Sequence, residues 1–205
     1  MASFAEVSLG GFLNALASEQ PTPGGGAAAA AALAMGAAMV EMACAFSLGR
    51  KRYREVEAEL RQLSGRCREI RARALELAEA DAGAYATLAR ALQMSRDTEA
   101  QSGARRAAVA TAAREATLVP LELAELCAEL IRLSDECASK GNPNLIGDAA
   151  GAAAMARGAA RVCQLNVKAN LQAAGDQSFT EAVEQRMRAA SASLALADRV
   201  VEKYL

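Results

Sequence analysis

Pro21-Thr22-Pro23-Gly24-Gly25-Gly26 runs without a break into Ala27-Ala28-Ala29-Ala30-Ala31-Ala32-Leu33-Ala34-Met35-Gly36, and the reading of this junction decides the fold. Two prolines and three glycines cannot continue a helix, whereas the alanine-rich run after them can do little else. The junction therefore ends one helix and starts another, spanning about Gly26 to Leu48. One reading makes the glycines an anion cradle: uncovered backbone N–H groups at the positive end of a helix dipole suit a carboxylate or phosphate. The other makes Pro21 and Pro23 a helix stop and the glycines a simple turn.

The run from Gly26 to Leu48 carries one charge, Glu41, and is apolar on every side. It is long enough to cross a bilayer, but alanine is barely hydrophobic and the flanking chain is amphipathic, so a buried central helix is expected and no membrane partner. Apolar residues recur at helical spacing elsewhere too, and period-two runs of β-branched and aromatic residues are absent. The fold class is accordingly all-α, a single-domain bundle of about six or seven helices over residues 1–205. The expected helices run from Ser3 to Ser18, Gly26 to Leu48, Gly49 to Met94, Glu99 to Thr117, Pro120 to Ser139, Gly151 to Ala174 and Phe179 to Tyr204. Pro120 is read as restarting the pattern at a first helical turn. Alternating charges from Arg54 through Glu57, Glu59, Arg61, Arg66, Glu69 and Arg73 read as a solvated face with pairs three or four apart.

Composition narrows the chemistry. The 205 residues hold 23 Lys and Arg against 24 Asp and Glu, with 3% aromatics, so neither a cationic field nor stacking platforms mark a nucleic-acid binder. There is no histidine. That removes imidazole triads and HExxH-type metal sites, and no metal site is expected. Five scattered cysteines, never spaced as CxxC, suit a reducing compartment, and a cytoplasmic location is expected. Acid–base work is then left to Asp, Glu, Lys, Tyr, Cys or water.

Several polar groups stand out from the alanine background. Asp81 lies in an apolar-periodic helix one turn before Tyr85; in a cleft it would shuttle protons, and otherwise it is a surface carboxylate. Lys51, between Arg50 and Arg52, follows the alanine helix, where cations also suit the negative dipole end. Asn142, Asn144 and Asp148 form a turn and a helix start that are either caps or ligands. Asn166 and Asn170 share one face of a largely apolar helix and need partners.

Taken in order, Pro21 to Gly26, Gly49-Arg50-Lys51-Arg52-Tyr53, Asp81, Val119-Pro120-Leu121, Gly141-Asn142-Pro143-Asn144 with Asp148, and Asn166-Val167 with Asn170 resemble the formiminotransferase-cyclodeaminase C-terminal family. That family includes formiminotetrahydrofolate cyclodeaminases and bacterial methenyltetrahydrofolate cyclohydrolases, and the resemblance covers nearly the whole chain. It implies an all-α homodimer acting on a tetrahydrofolate derivative, with no cofactor beyond that substrate. By the same resemblance Asp81 is the general acid–base candidate and Lys51 stabilises charge or holds a folate carboxylate. Pro23, Gly24, Gly25, Gly26, Asn142, Asn144, Asp148 and Asn170 would line the substrate site. The chain departs from the family pattern at Ala27, Ala80 and Gly147. A noncatalytic folate-binding or purely structural helical dimer is the alternative.

Overall fold

The computed structural model describes residues 4–204, and among them it is all-helical with no strand. Seven α-helices follow in order: α1 Leu9–Leu16, α2 Gly25–Ala45, α3 Glu57–Leu92, α4 Glu99–Lys140, α5 Ile146–Ala174, α6 Gln177–Ser191 and α7 Leu194–Glu202. Short 3₁₀ turns at Lys51–Tyr53 and Pro143–Leu145 precede α3 and α5.

The number of helices matches the upper expectation, but two boundaries move for physical reasons. The expected break at Pro120 does not occur, and α4 runs through it as one 42-residue helix. Proline removes the N–H that would bond the carbonyl of Ala116. That carbonyl is taken instead by Asn170 of α5, whose Nδ2 donates to it at 2.8 Å. A side chain from a neighbouring helix thus replaces the missing rung. Conversely, the expected helix from Phe179 to Tyr204 divides at Ala192 and Ser193. Ser191 lies at this break, and its Oγ donates to the Met187 carbonyl, the local competition that weakens helices at serine.

Smaller differences have local causes. α1 starts at Leu9, because Ser8 caps it by accepting from the Gly11 N–H at 3.1 Å; Ser3, the expected start, lies outside the described residues. The third helix starts at Glu57 rather than Gly49, since Gly49 sits at φ +73° and a 3₁₀ turn follows it. Thr98 caps α4 reciprocally: its hydroxyl accepts from the Gln101 N–H, and the Gln101 side chain accepts from the Thr98 N–H. The fifth helix starts at Ile146, so Asp148 stands in its first turn.

α2 is central. It packs on α3, α4 and α5, and Leu33, Val40, Ala27, Ala30 and Ala37 are wholly inaccessible. It is long and apolar enough to cross a membrane, with mean hydropathy 1.7, and more than half of that window is buried inside the fold. Its small residues allow close approach: a Cβ on Gly36 would lie 3.2 Å from the Ala152 carbonyl. α5 offers Ala149, Ala152, Ala153, Ala156, Ala159 and Ala160 as the facing buried stripe. The two alanine-rich helices therefore meet each other, antiparallel, with Gly25 near Val162 at one end and Gly151 near Met39 at the other. All five cysteines are buried free thiols.

The charge run on α3 does more than face solvent. Arg61–Glu57, Arg66–Glu69 and Arg73–Glu76 are the expected pairs within the helix. Arg66 also makes two hydrogen bonds to Glu129, at 2.6 and 2.9 Å, and Arg73 two to Glu122, at 2.6 and 3.0 Å. These forked contacts fix the register of α3 against α4. Only the partner helix could reveal them.

Candidate active site

The N-terminal end of α2 closes one side of a cleft of roughly 210 Å³ lined by Pro21, Thr22, Gly24, Gly25, Gly26, Asp81, Ala84, Tyr85, Leu88, Ala116, Asn166, Ala169 and Asn170. Four helices contribute. The turn and α2 supply the glycines, α3 supplies Asp81, Ala84, Tyr85 and Leu88, α4 supplies Ala116, and α5 supplies the two asparagines. The cleft's alanines come from α3, α4 and α5, while those of α2 are spent on helix packing.

Gly24 occupies the N-cap of α2 and offers no side chain to the first N–H groups. Asp81 supplies what is missing. Its carboxyl group reaches over from α3 and accepts from the Ala27 N–H, the third residue of the helix and a usual capping donor. The approach is so close that a Cβ on Gly26 would fall 2.2 Å from Oδ1, 2.4 Å from Cγ and 2.5 Å from Oδ2 of Asp81. Gly26 is therefore required by space. None of the three glycines has positive φ; among the described residues only Gly49 and Gly175 do.

Burial pushes the Asp81 carboxyl above its usual range, and the Ala27 N–H offsets this in part. A carboxyl group shifted upward in this way holds its proton more readily than an exposed one, the direction that suits a general acid or base. Tyr85, one turn along α3, is 46% exposed and stands at the rim as a flat surface for a planar ligand. Asn170 has its Nδ2 engaged with the Ala116 carbonyl, which leaves its Oδ1 for the cleft. Asn166, one turn earlier, shares this wall.

The structure brings Asp81, Gly24, Gly25, Gly26 and Asn170 together, with Pro23 buried behind the turn after a cis Thr22–Pro23 bond. It does not bring Lys51, Asn142, Asn144 and Asp148 to this cleft within one chain. These lie at the other end of α2, since Gly141 approaches Ser47 and α5 runs antiparallel to α2 from Ile146. The separation is close to the length of α2, about 30 Å for its 21 residues. There the Asn142 side chain accepts from the Asn144 N–H at 3.0 Å, and Lys51 is exposed. The sequence reading missed Thr22 and Leu88 as cleft walls, since only the fold reveals which turn faces inward.

The departures from the family pattern also acquire positions. Ala27 is fully buried, so only its N–H reaches the cleft. Ala80 and Gly147 are exposed and line none of the cleft.

Comparison with known proteins finds relatives both in sequence and in fold. Over 170 residues the chain is 38% identical to a methenyltetrahydrofolate cyclohydrolase of Methylorubrum extorquens, covering 83% of this chain and 82% of that protein. It is 30% identical over 185 residues to the formimidoyltransferase-cyclodeaminase of Mus musculus, covering 90% of this chain but only 34% of that longer protein. The chain thus spans about a third of the mouse relative. The crystal structure of formiminotetrahydrofolate cyclodeaminase from Thermotoga maritima superposes with a TM-score of 0.87 at 27% identity, over 97% of this chain and 96% of that one. The sequence model of the formiminotransferase-cyclodeaminase family matches residues 8–189, and the chain belongs to that family.

Proposed function

We propose that the chain is a cytoplasmic folate one-carbon enzyme that hydrolyses methenyltetrahydrofolate, with Asp81 as its acid–base group and no cofactor beyond the tetrahydrofolate substrate. The observation that carries this reading is a burial-raised carboxyl held at a helix N-terminus inside a cleft of pterin size, beside an exposed aromatic ring and two amides. The 38% identity to a cyclohydrolase of similar length supports the choice of reaction.

In the hydrolysis, water adds to the cationic methenyl carbon that bridges two folate nitrogens. The Asp81 carboxylate accepts a proton from that water as the C–O bond forms. Collapse of the adduct breaks one C–N bond and leaves a formyl group on the other nitrogen. The freed nitrogen takes the proton that Asp81 holds, and the adduct's hydroxyl proton leaves to solvent. Before addition, the same carboxylate faces the substrate's positive charge. The α2 amides and the amide groups of Asn166 and Asn170 suit the polar edge of a pterin.

The likeness in fold to the Thermotoga cyclodeaminase favours a second reading, ring closure of formiminotetrahydrofolate with loss of ammonia. There Asp81 protonates the departing ammonia. Purified protein is given each substrate separately while methenyl absorbance is followed. Loss of absorbance above the uncatalysed rate supports the first reading, and a gain from the formimino substrate supports the second. No change with either removes the assignment.

A further inference from the structure

We propose that the cleft holds the substrate's pteridine ring in one orientation, its 4-carbonyl on the α2 N-terminus and its 2-amino group on the Asn170 side-chain oxygen, and that Pro120 is the positioning residue that sets the second contact. The proposal rests on the reading of the Asp81 cleft as a folate site.

Of the first N–H groups of α2, that of Ala28 donates to the Gly24 carbonyl and that of Ala27 to Asp81. Those of Gly25 and Gly26 have no partner among the described residues, and they stand at the positive end of the helix where both residues line the cleft. This wall calls for an acceptor.

The opposite wall offers the reverse. A carbonyl can only accept, so the 2.8 Å contact with the Ala116 carbonyl must be made by Asn170 Nδ2, and Oδ1 is the atom left to the cleft. Pro120 is the reason that carbonyl is available. It is buried and lines none of the cleft, yet it withholds the N–H that would occupy Ala116, and its ring crowds the same carbonyl away from the helix axis. The neighbouring hydroxyl, Thr117 Oγ1, is no substitute, because it donates to Ala113 at 2.7 Å. The Asn166 side chain makes no hydrogen bond among the described residues and can present either end of its amide, so the polarity of this wall is set at Asn170.

Spacing agrees with polarity. Gly25 stands against Val162, and Asn170 lies eight residues further along α5, about 12 Å. A ring edge with a carbonyl at one end and an amino group at the other, hydrogen-bonded at both, spans about 10 Å. A pteridine offers that edge. Its 4-carbonyl is also the neighbour of N5 across the ring fusion. A ring seated by O4 on the Gly25 and Gly26 amides therefore carries N5, and the methenyl carbon bonded to it, to the Asp81 carboxyl that caps the same helix end at Ala27. The reverse seating sets amino donors against amide donors and takes the reacting carbon away from Asp81.

The position of the amide is tested without substrate. The Asn170 side-chain NH2 is followed by heteronuclear NMR, its signal identified by its loss in Asn170→Ala. Pro120→Ala restores an N–H at this position, so hydrogen exchange of the Asn170 amide is expected to quicken about tenfold while Tm does not fall. Pro120→Val, which also restores the N–H, serves if the alanine variant folds poorly. Unchanged exchange in a folded variant overturns the role of Pro120.

The orientation is tested by binding. Calorimetry compares tetrahydrofolate with the analogue that carries a methyl group in place of the 2-amino group. The wild type should prefer the parent about tenfold, Asn170→Ala should bind the two alike, and Pro120→Ala should lose most of the preference. A merely structural role for Pro120 would weaken both ligands equally, and full preference in Pro120→Ala counts against its role. A wild type that binds both alike refutes the orientation even with turnover intact. A wild type that binds neither, and turns over neither substrate, sinks the folate reading instead, while the amide exchange still decides the part assigned to Pro120.

Discussion

Gly26→Ala adds one methyl group and should separate activity from stability. The new Cβ would lie 2.2 Å from Asp81 Oδ1, where an ordinary carbon–oxygen contact needs about 3.4 Å, so the carboxyl group must withdraw by about 1 Å. Displacement of a reacting group by that amount costs on the order of 10²-fold in rate. Stability should change little. Alanine gains about 1 kcal/mol over glycine inside a helix, and loss of the Asp81 cap on the Ala27 N–H costs about 0.5–2 kcal/mol. The net is within about 1 kcal/mol, or about 2–4 °C in Tm for a chain of this size. Gly83→Ala on α3 is the control, because it adds the same methyl group to a helix at a residue outside the cleft lining, where a Cβ would meet nothing within 4 Å. Steady-state kinetics and thermal melts of both variants, with Asp81→Asn and the Gly26→Ala/Asp81→Asn double variant, close the cycle. If Gly26 acts through Asp81, the double variant is no slower than Asp81→Asn alone. Near-wild-type turnover in Gly26→Ala, or additive losses in the double variant, would refute the reasoning.

Other outcomes follow from the same contacts. Asp81→Asn should lower turnover about 10²–10⁴-fold, as for loss of a positioned acid or base. Since burial raises the native carboxyl, the folded chain keeps this proton at pH values where the unfolded chain has lost it. Wild-type stability relative to Asp81→Asn should therefore be highest at acid pH, fall as pH rises from about 3.8 to the native value, and then level off; a difference that grows with pH would contradict this. The limb of kcat/KM set by Asp81 should rise with pH if it acts as a base on water and fall if it protonates ammonia. Asn170→Ala leaves the Ala116 carbonyl beside Pro120 without its donor and should cost about 1–3 kcal/mol in urea unfolding, whereas Asn166→Ala should cost less. Gly49→Ala forces a side chain into φ +73° and should cost about 1–2 kcal/mol without altering KM.

What the sequence disclosed follows from the range of the forces involved. Helical periodicity and the break at Pro21–Gly26 are local, so α2 and α5 were legible as alanine-rich helices, and the carboxylate at Asp81 stood out by contrast. The position of Asp81 over the α2 N-terminus was not legible. It depends on the register of α3 against α2, set by pairs such as Arg71–Glu41 that are 30 residues apart. Pro120 misled for the same reason. Its local meaning is a helix start, and only an amide 54 positions away at Asn170 makes a continuous helix tolerable there.

That exchange between Pro120 and Asn170 also explains why the cleft lies where it does. A helix interrupted at Pro120 could end or turn there, and Ala116 would be free to leave the wall. Because Asn170 donates to the Ala116 carbonyl, α4 is pinned to α5 beside the glycine turn, and both residues line the cleft. The bond also fixes the Asn170 amide so that its oxygen, rather than its nitrogen, is left over. A ligand at this wall is therefore offered an acceptor by Asn170 and donors by the α2 N-terminus, with the Asp81 carboxyl between them. Such alternation suits a pterin edge, which presents amide donors and acceptors side by side. Reversing one element of it is a sharper probe than deleting it: Asn170→Asp keeps the size but sets a carboxylate against the Ala116 carbonyl. If the argument holds, it should destabilise the fold and weaken substrate binding together.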